Sequence, residues 1–109
     1  MTKFVIVMTR RADFGEDAFR RYFLDVHLPL ALRIDGLARH VVNFRASDPT
    51  RPEPAWDAVV ELYFADRGRM EEAWRSPAGE AATADLAEFT DPERTTWSIV
   101  DEVSTPLVP

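Results

Sequence analysis

Hydrophobic and polar positions along this chain change period several times, and each change marks an element. Phe4-Val5-Ile6-Val7-Met8 is an unbroken apolar run closed by Thr9-Arg10-Arg11. A short β-branched run of this kind predicts a strand buried on both faces, hence central in its sheet. The period then lengthens: Phe19, Phe23, Val26 and Leu30 recur at helical spacing, with Tyr22 beside the stripe. Asp13, three residues before Glu16, reads as a capping-box variant at the helix start. Pro29 cannot donate to a helix ladder and holds Leu28 extended. The helix is therefore expected to stop or kink near His27 and to restart as a short turn ending at Asp35-Gly36. That reading puts His27 at a helix C-terminus.

Period two follows. In "GLARHVVNFR", Ala38, His40, Val42 and Phe44 alternate with Leu37, Arg39, Val41 and Asn43, and the polar stretch "ASDPTRPEP" separates this strand from "AWDAVVELYF". The two read as an antiparallel hairpin. On the second of them Trp56, Ala58, Val60, Leu62 and Phe64 share one face, and Asp57, Val59, Glu61 and Tyr63 share the other. Asp66 can cap a helix running through Trp74, and Ser76-Pro77 can start another that carries Ala82, Leu86 and Phe89 before Asp91-Pro92 ends it. The last strand is expected within "TTWSIVDEV".

Strand, helix, strand, strand, helix, strand is a split βαβ order, βαββαβ. It predicts an α+β, ferredoxin-like unit with a four-stranded antiparallel sheet and both helices on one face. The second face is then uncovered, and two such sheets are expected to pack together. At 109 residues the chain reads as one domain, 1–109, small enough for a partner surface to add much to its stability. "STPLVP" reads as a tail that crosses to such a partner.

Composition narrows the classes. Hydrophobic residues make up 46% and charged residues 29%, ordinary globular usage that argues against disorder. The net charge of −6, with no one-sided Lys/Arg cluster, argues against nucleic acid as a partner. No apolar run is long enough to span a bilayer, and "MTKFVIVMTRR" places its arginines after the apolar run, the reverse of a signal peptide. The chain has no cysteine, so neither a disulfide framework nor a thiol nucleophile is available. A cytoplasmic protein without a membrane partner is expected. The two histidines are on separate elements without metal-ligand spacing, so no metal site is expected, and phosphate loops and nucleophile elbows are absent.

His27 is the leading candidate for chemistry, because imidazole titrates near the pH at which general acid–base catalysis operates. At a helix end its protonated form would be favoured, suiting a general acid. The competing reading is that it caps the carbonyls freed by Pro29. Glu61 and Asp57 are separated by ~13 Å along a strand and cannot form a close carboxylate pair. Glu61 can act alone as a base or pair with an arginine such as Arg39. Tyr63 shares its face and can orient a substrate oxygen, whereas Tyr22 and Phe23 can wall a ring-shaped ligand or simply fill the core. Trp56, Trp74 and Trp97 fall on separate stretches and are assigned to packing or to an interface.

The pattern Phe19, Tyr22, His27, Pro29, Leu30, Gly36, Leu37 resembles the helix-to-strand signature of EthD-domain proteins. "DAVVELYF" resembles their third strand, and Ser76-Pro77-Ala-Gly with Asp85, Phe89 and Asp91 resembles their second helical region. The resemblance implies a dimeric α+β barrel, two ferredoxin-like subunits packed sheet to sheet, with a small-molecule pocket between each sheet and its own helices. It also implies proton-transfer chemistry such as isomerisation or dehydration, without an organic cofactor, on a cyclic or aromatic molecule. A cofactorless monooxygenase and a non-catalytic ligand-binding protein remain alternatives. The resemblance favours His27 as the catalytic residue, and Tyr22, Phe23, His40, Glu61 and Tyr63 are the candidates for the pocket wall. His40 stands where the family commonly has a tyrosine, either as a second titrating group or as a surface substitution.

Overall fold

A computed structural model of the chain describes residues 1–53 and 55–108, so Pro54 of the polar connection and the terminal Pro109 lie outside the described residues. The elements run β1 (Thr2–Met8), α1 (Glu16–Tyr22), a π-helical turn (Phe23–His27), α2 (Leu28–Ala31), β2 (Leu37–Phe44), β3 (Ala58–Phe64), α3 (Arg67–Arg75), α4 (Pro77–Asp85), a 3-10 turn (Leu86–Glu88) and β4 (Thr96–Val100). The four strands form one antiparallel sheet in the order β2-β3-β1-β4. This is the ferredoxin-like arrangement expected from the pattern, with β1 interior.

Register decides which residues meet the helices. Ile6, Met8, Ala58, Val60, Leu62 and Phe64 of the two interior strands belong to the buried core with Phe19, Phe23, Met70 and Phe89. The opposite parity, Val5 and Val7 of β1 and Val59 of β3, is only half-buried, so β1 is buried on one face rather than two within this chain. In β2 a bulge between Leu37 and Arg39 breaks the simple alternation. The extra residue returns Leu37 to the side of His40, Val42 and Phe44, so Leu37, Val42 and Phe44 all pack on the core.

The first helix departs from its expected course. Gly15 occupies its N-cap without a side-chain hydrogen bond. Asp13 instead accepts from Arg11 Nε at 2.6 Å, so the capping-box reading is corrected. The chain also does not stop at His27. It widens into a π turn in which the Leu28 N–H bonds the Phe23 carbonyl, five residues back, and Pro29 sits in the first turn of α2. The wider turn relieves the clash of the Pro29 ring with the carbonyl four residues earlier. It also rotates the buried stripe: Phe19, Phe23, His27 and Ala31 face inward at a spacing of four, while Val26 is turned to solvent. His27 therefore lies inside a continuous helical path.

The other helix caps follow the sequence. Asp66 accepts from the Arg69 N–H at 2.8 Å and Ser76 from the Gly79 N–H at 3.1 Å. Gly79 is required by proximity, since a Cβ there would lie 2.0 Å from the Ala73 carbonyl oxygen. α4 ends at Asp85, earlier than expected, and Phe89 reaches the core from beyond the 3-10 turn. β4 ends at Val100, so Asp101-Glu102-Val103 falls outside the strand. Among the described residues, no helix is long and apolar enough to cross a membrane.

Candidate functional site

Between the helices and the sheet lies a cavity of about 350 Å³, within the range that holds a small organic molecule. Phe4, Ile6, Val60 and Leu62 form its floor, and Ala31, Ile34, Ala82 and Leu86 close it from the helix side. No lysine, arginine or carboxylate is among its lining residues. Its polar side chains come from His27, His40, Thr83 and the indoles of Trp74 and Trp97.

His27 reaches this wall because the π turn points it inward. Its Nδ1 is 3.0 Å from Asp85 Oδ2, and the other carboxylate oxygen, Oδ1, accepts from the Tyr22 hydroxyl at 2.7 Å. A carboxylate oxygen that accepts from Nδ1–H fixes the neutral tautomer with the proton on Nδ1 and leaves a lone pair on Nε2. Nε2 has no hydrogen-bond partner among the described residues. Burial pushes the His27 pKa down, against the opposing influence of Asp85. The helix-end position expected from the sequence is thus corrected, and burial favours the neutral imidazole over the protonated one. Burial and Asp85 raise the Tyr22 hydroxyl to about 12, so it remains a donor. The Phe89 ring stacks on Tyr22 at 4.8 Å and lies 5.1 Å from the His27 ring, fixing both.

His40 reaches the same cavity from β2. The fully buried Phe23 ring neighbours both imidazoles, 5.4 Å from His27 and 6.0 Å from His40. Burial, with His27 nearby, lowers the His40 pKa too. Tyr22 and Phe23 stand behind the wall, not on it, so their role as a ligand surface is corrected to positioning and packing. Trp74, which packs on the core against Phe4 and Phe64 as expected, and Trp97 also supply aromatic wall to the cavity. Trp97 is 64% exposed on the edge strand and marks the mouth. The Trp74 Nε1 is buried without a hydrogen-bond partner among the described residues.

Glu61 and Tyr63 are not in this pocket. Their parity on β3 puts them on the outer sheet face, where Lys3 pairs with Glu61 and with Glu102, the latter at 2.7 Å, and Tyr63 donates to Glu102 at 2.9 Å. Lys3 holds the Glu61 carboxyl below its usual range, the reverse of a base poised near neutrality. Its cation is Lys3, not Arg39. Asp57, just before β3, binds the Arg10 backbone N–H at 2.8 Å and ties the end of β1. Asp85 is the site residue that motif reading passed over as a functional group. Its signal was electrostatic: an acid in the last turn of a helix opposes the helix dipole and needs a partner elsewhere.

A ferredoxin-like subunit with an apolar cavity and a carboxylate-backed histidine defines the class. The EthD domain family matches residues 11–93, and the chain belongs to that family. It is 32% identical over 89 residues to an uncharacterized 11.0 kDa protein of the thcB-thcC intergenic region of Rhodococcus erythropolis, covering 82% of this chain and 84% of that one. The structure is similar to an EthD family protein of Bacillus halodurans C-125, with TM-score 0.79 and 24% identity over 94% of this chain and all of that one. It also shares its fold with SnoaB, a cofactor-independent oxygenase of Streptomyces nogalater, at TM-score 0.66 and 14% identity, covering 95% and 94% of the two chains. The fold is ferredoxin-like.

Proposed function

We propose that this chain binds a small cyclic or aromatic organic molecule in the cavity and moves a proton on it without an organic cofactor, with His27 as the base. One observation carries the reading: a buried His27 on the cavity wall whose Nδ1 is held by Asp85 and whose Nε2 has no hydrogen-bond partner among the described residues. Nε2 takes a proton from a carbon acid, the positive charge that develops on the ring is stabilised by Asp85, and the same proton returns to a second carbon or to a departing hydroxyl. Those two fates are isomerisation and dehydration. The apolar lining excludes water and strengthens the contact between Asp85 and His27.

Hydrogen–deuterium exchange of the α-protons of β-tetralone, a cyclic aromatic ketone, followed by proton NMR, tests the base. Exchange by the wild type that His27→Asn abolishes supports it. Binding of the ketone without exchange favours the non-catalytic binding protein. Oxygen uptake with an oxidisable phenol would favour the oxygenase reading that the SnoaB fold suggests. The family architecture and the half-buried Val5, Val7, Val41 and Val59 on the outer sheet face support pairing of two copies through that face. Light scattering should give a dimer for the wild type and a monomer for Val59→Lys.

A further inference from the structure

His40 has two ring nitrogens, lines the cavity, and has no hydrogen-bond partner among the described residues. Half-buried polar groups of this kind are normally paired with protein or with what fills the space beside them. The neighbouring elements offer it no acid: Phe23 of the π turn is its aromatic contact, Leu62 is its partner across β3, and the titratable group nearest in the cavity wall is His27. The acidic side chains of Glu61 on β3 and Glu102 just beyond β4 are engaged with Lys3 on the far face. His40 is therefore a neutral imidazole with an N–H and a lone pair both available to a ligand.

The two histidines are not equivalent. Asp85 takes the His27 N–H, so His27 presents only a lone pair to the cavity. An oxygen on the ligand cannot be bound there by donation. Of the two imidazoles on the wall, His40 is the one with an N–H that could meet such an oxygen. With no lysine or arginine on the wall, a carboxylate or phosphate would enter without a counter-charge, which is costly in an apolar space. We propose that His40 is the hydrogen-bond donor to a carbonyl or phenolic oxygen of an uncharged planar ligand, so that this cavity selects cyclic carbonyl compounds and their enols. A neutral imidazole so placed stabilises the oxygen that gains negative charge as a base removes the adjacent proton. This inference rests on the His27 reading for its chemistry but not for its binding.

The test is binding of β-naphthol, a planar enol, against naphthalene, the same ring without the oxygen, by fluorescence titration. Nitrogen NMR of the imidazoles is recorded alongside. For the wild type, β-naphthol should bind more tightly than naphthalene and shift a His40 ring nitrogen. His40→Phe should weaken β-naphthol about tenfold, as expected for one hydrogen bond in an apolar site, and leave naphthalene unchanged. His40→Gln, which restores an N–H donor, should recover most of the loss. Equal weakening of both ligands by His40→Phe makes His40 a wall only and overturns the proposal. So does an unchanged β-naphthol affinity, or no wild-type binding up to about 1 mM. His40-dependent binding in a protein that fails to exchange β-tetralone protons would keep this proposal and remove the catalytic reading. Exchange that needs His27 but not His40, with β-naphthol affinity unchanged in His40→Phe, would do the reverse.

Discussion

On the outer face of the sheet Lys3 is shared between Glu61 and Glu102, Tyr63 donates to Glu102, and Asn43 donates to Glu61 at 3.2 Å. On the helix-covered face Asp85 receives Tyr22 and one nitrogen of His27, and there the pairing stops. The remaining His27 nitrogen and both His40 nitrogens have no hydrogen-bond partner among the described residues, and both side chains line the apolar cavity. The outer cluster is richer in charge, yet its charges answer one another. The inner one holds fewer ionisable groups and leaves two of them unanswered. Chemistry is to be sought where a polar group has been placed at a cost and not paired, rather than where charged residues are dense.

The largest effect that would break this contrast is on activity. Replacing His27 by Asn should lower β-tetralone exchange about 10²–10⁴-fold, the usual contribution of a general base. Glu61→Gln should leave the rate unchanged. Equal losses in the two variants would erase the distinction between the faces. Next in size is the stability of the inner chain. Asp85→Ala leaves the Tyr22 hydroxyl and the His27 Nδ1–H buried without an acceptor, and should cost about 1–3 kcal/mol in urea unfolding. Tyr22→Phe, which removes one of those bonds with its donor, should cost about 1 kcal/mol. Smaller again, Glu61→Gln should cost about 1 kcal/mol or less, because Lys3 keeps Glu102 and the cluster borders solvent.

The smallest and most diagnostic effect is the pH window. His27 and His40 are held below their ordinary 6.5, so the unfolded chain binds more protons than the folded one as acid is added. Their contribution is present above about 6.5 and is lost as pH falls below it. The groups facing His27 are Asp85 from α4, which opposes the shift, and His40 from β2, so His27→Asn and His40→Phe should each flatten that limb. Glu61 is held below its ordinary 4.5 by Lys3, so the outer face loses its contribution only as pH falls through and below that value. Unfolding free energies across about pH 7.5 to 4 in wild type, His27→Asn and Glu61→Gln should separate the two limbs. If one variant removes both, the faces are coupled and the contrast fails.

Much of the scaffold is readable along the chain because it depends on local patterning. The unbroken Phe4–Met8 run, the alternation in β3, and the Asp66 and Ser76 caps each act within a few residues, and each appears where the pattern puts it. The family signature around His27 is legible for the same reason. The places where the reading slipped are those where a one-residue change moves a face. A π turn swaps Val26 for His27 in the buried stripe, and a bulge at the start of β2 changes the parity of Leu37. Both are responses to tertiary demands, and neither has a period of its own.

The order of elements, the central β1, the apolar face of β3 and the presence of a histidine at the Pro29 boundary follow from hydrophobic period and from proline's missing donor, which are properties of the chain itself. Which face of β3 meets the helices, and that Asp85 comes 58 positions along the chain to meet His27, were settled only by packing. Both parities of β3 are apolar enough to be buried, and an electrostatic contact between distant residues carries no sequence period. The fold resolves the choice by giving the larger, uncharged side chains to the core. Glu61 and Tyr63 are then left to Lys3 outside, while the carboxylate that had no favourable place at the end of its own helix was brought to the histidine that the π turn had exposed to it.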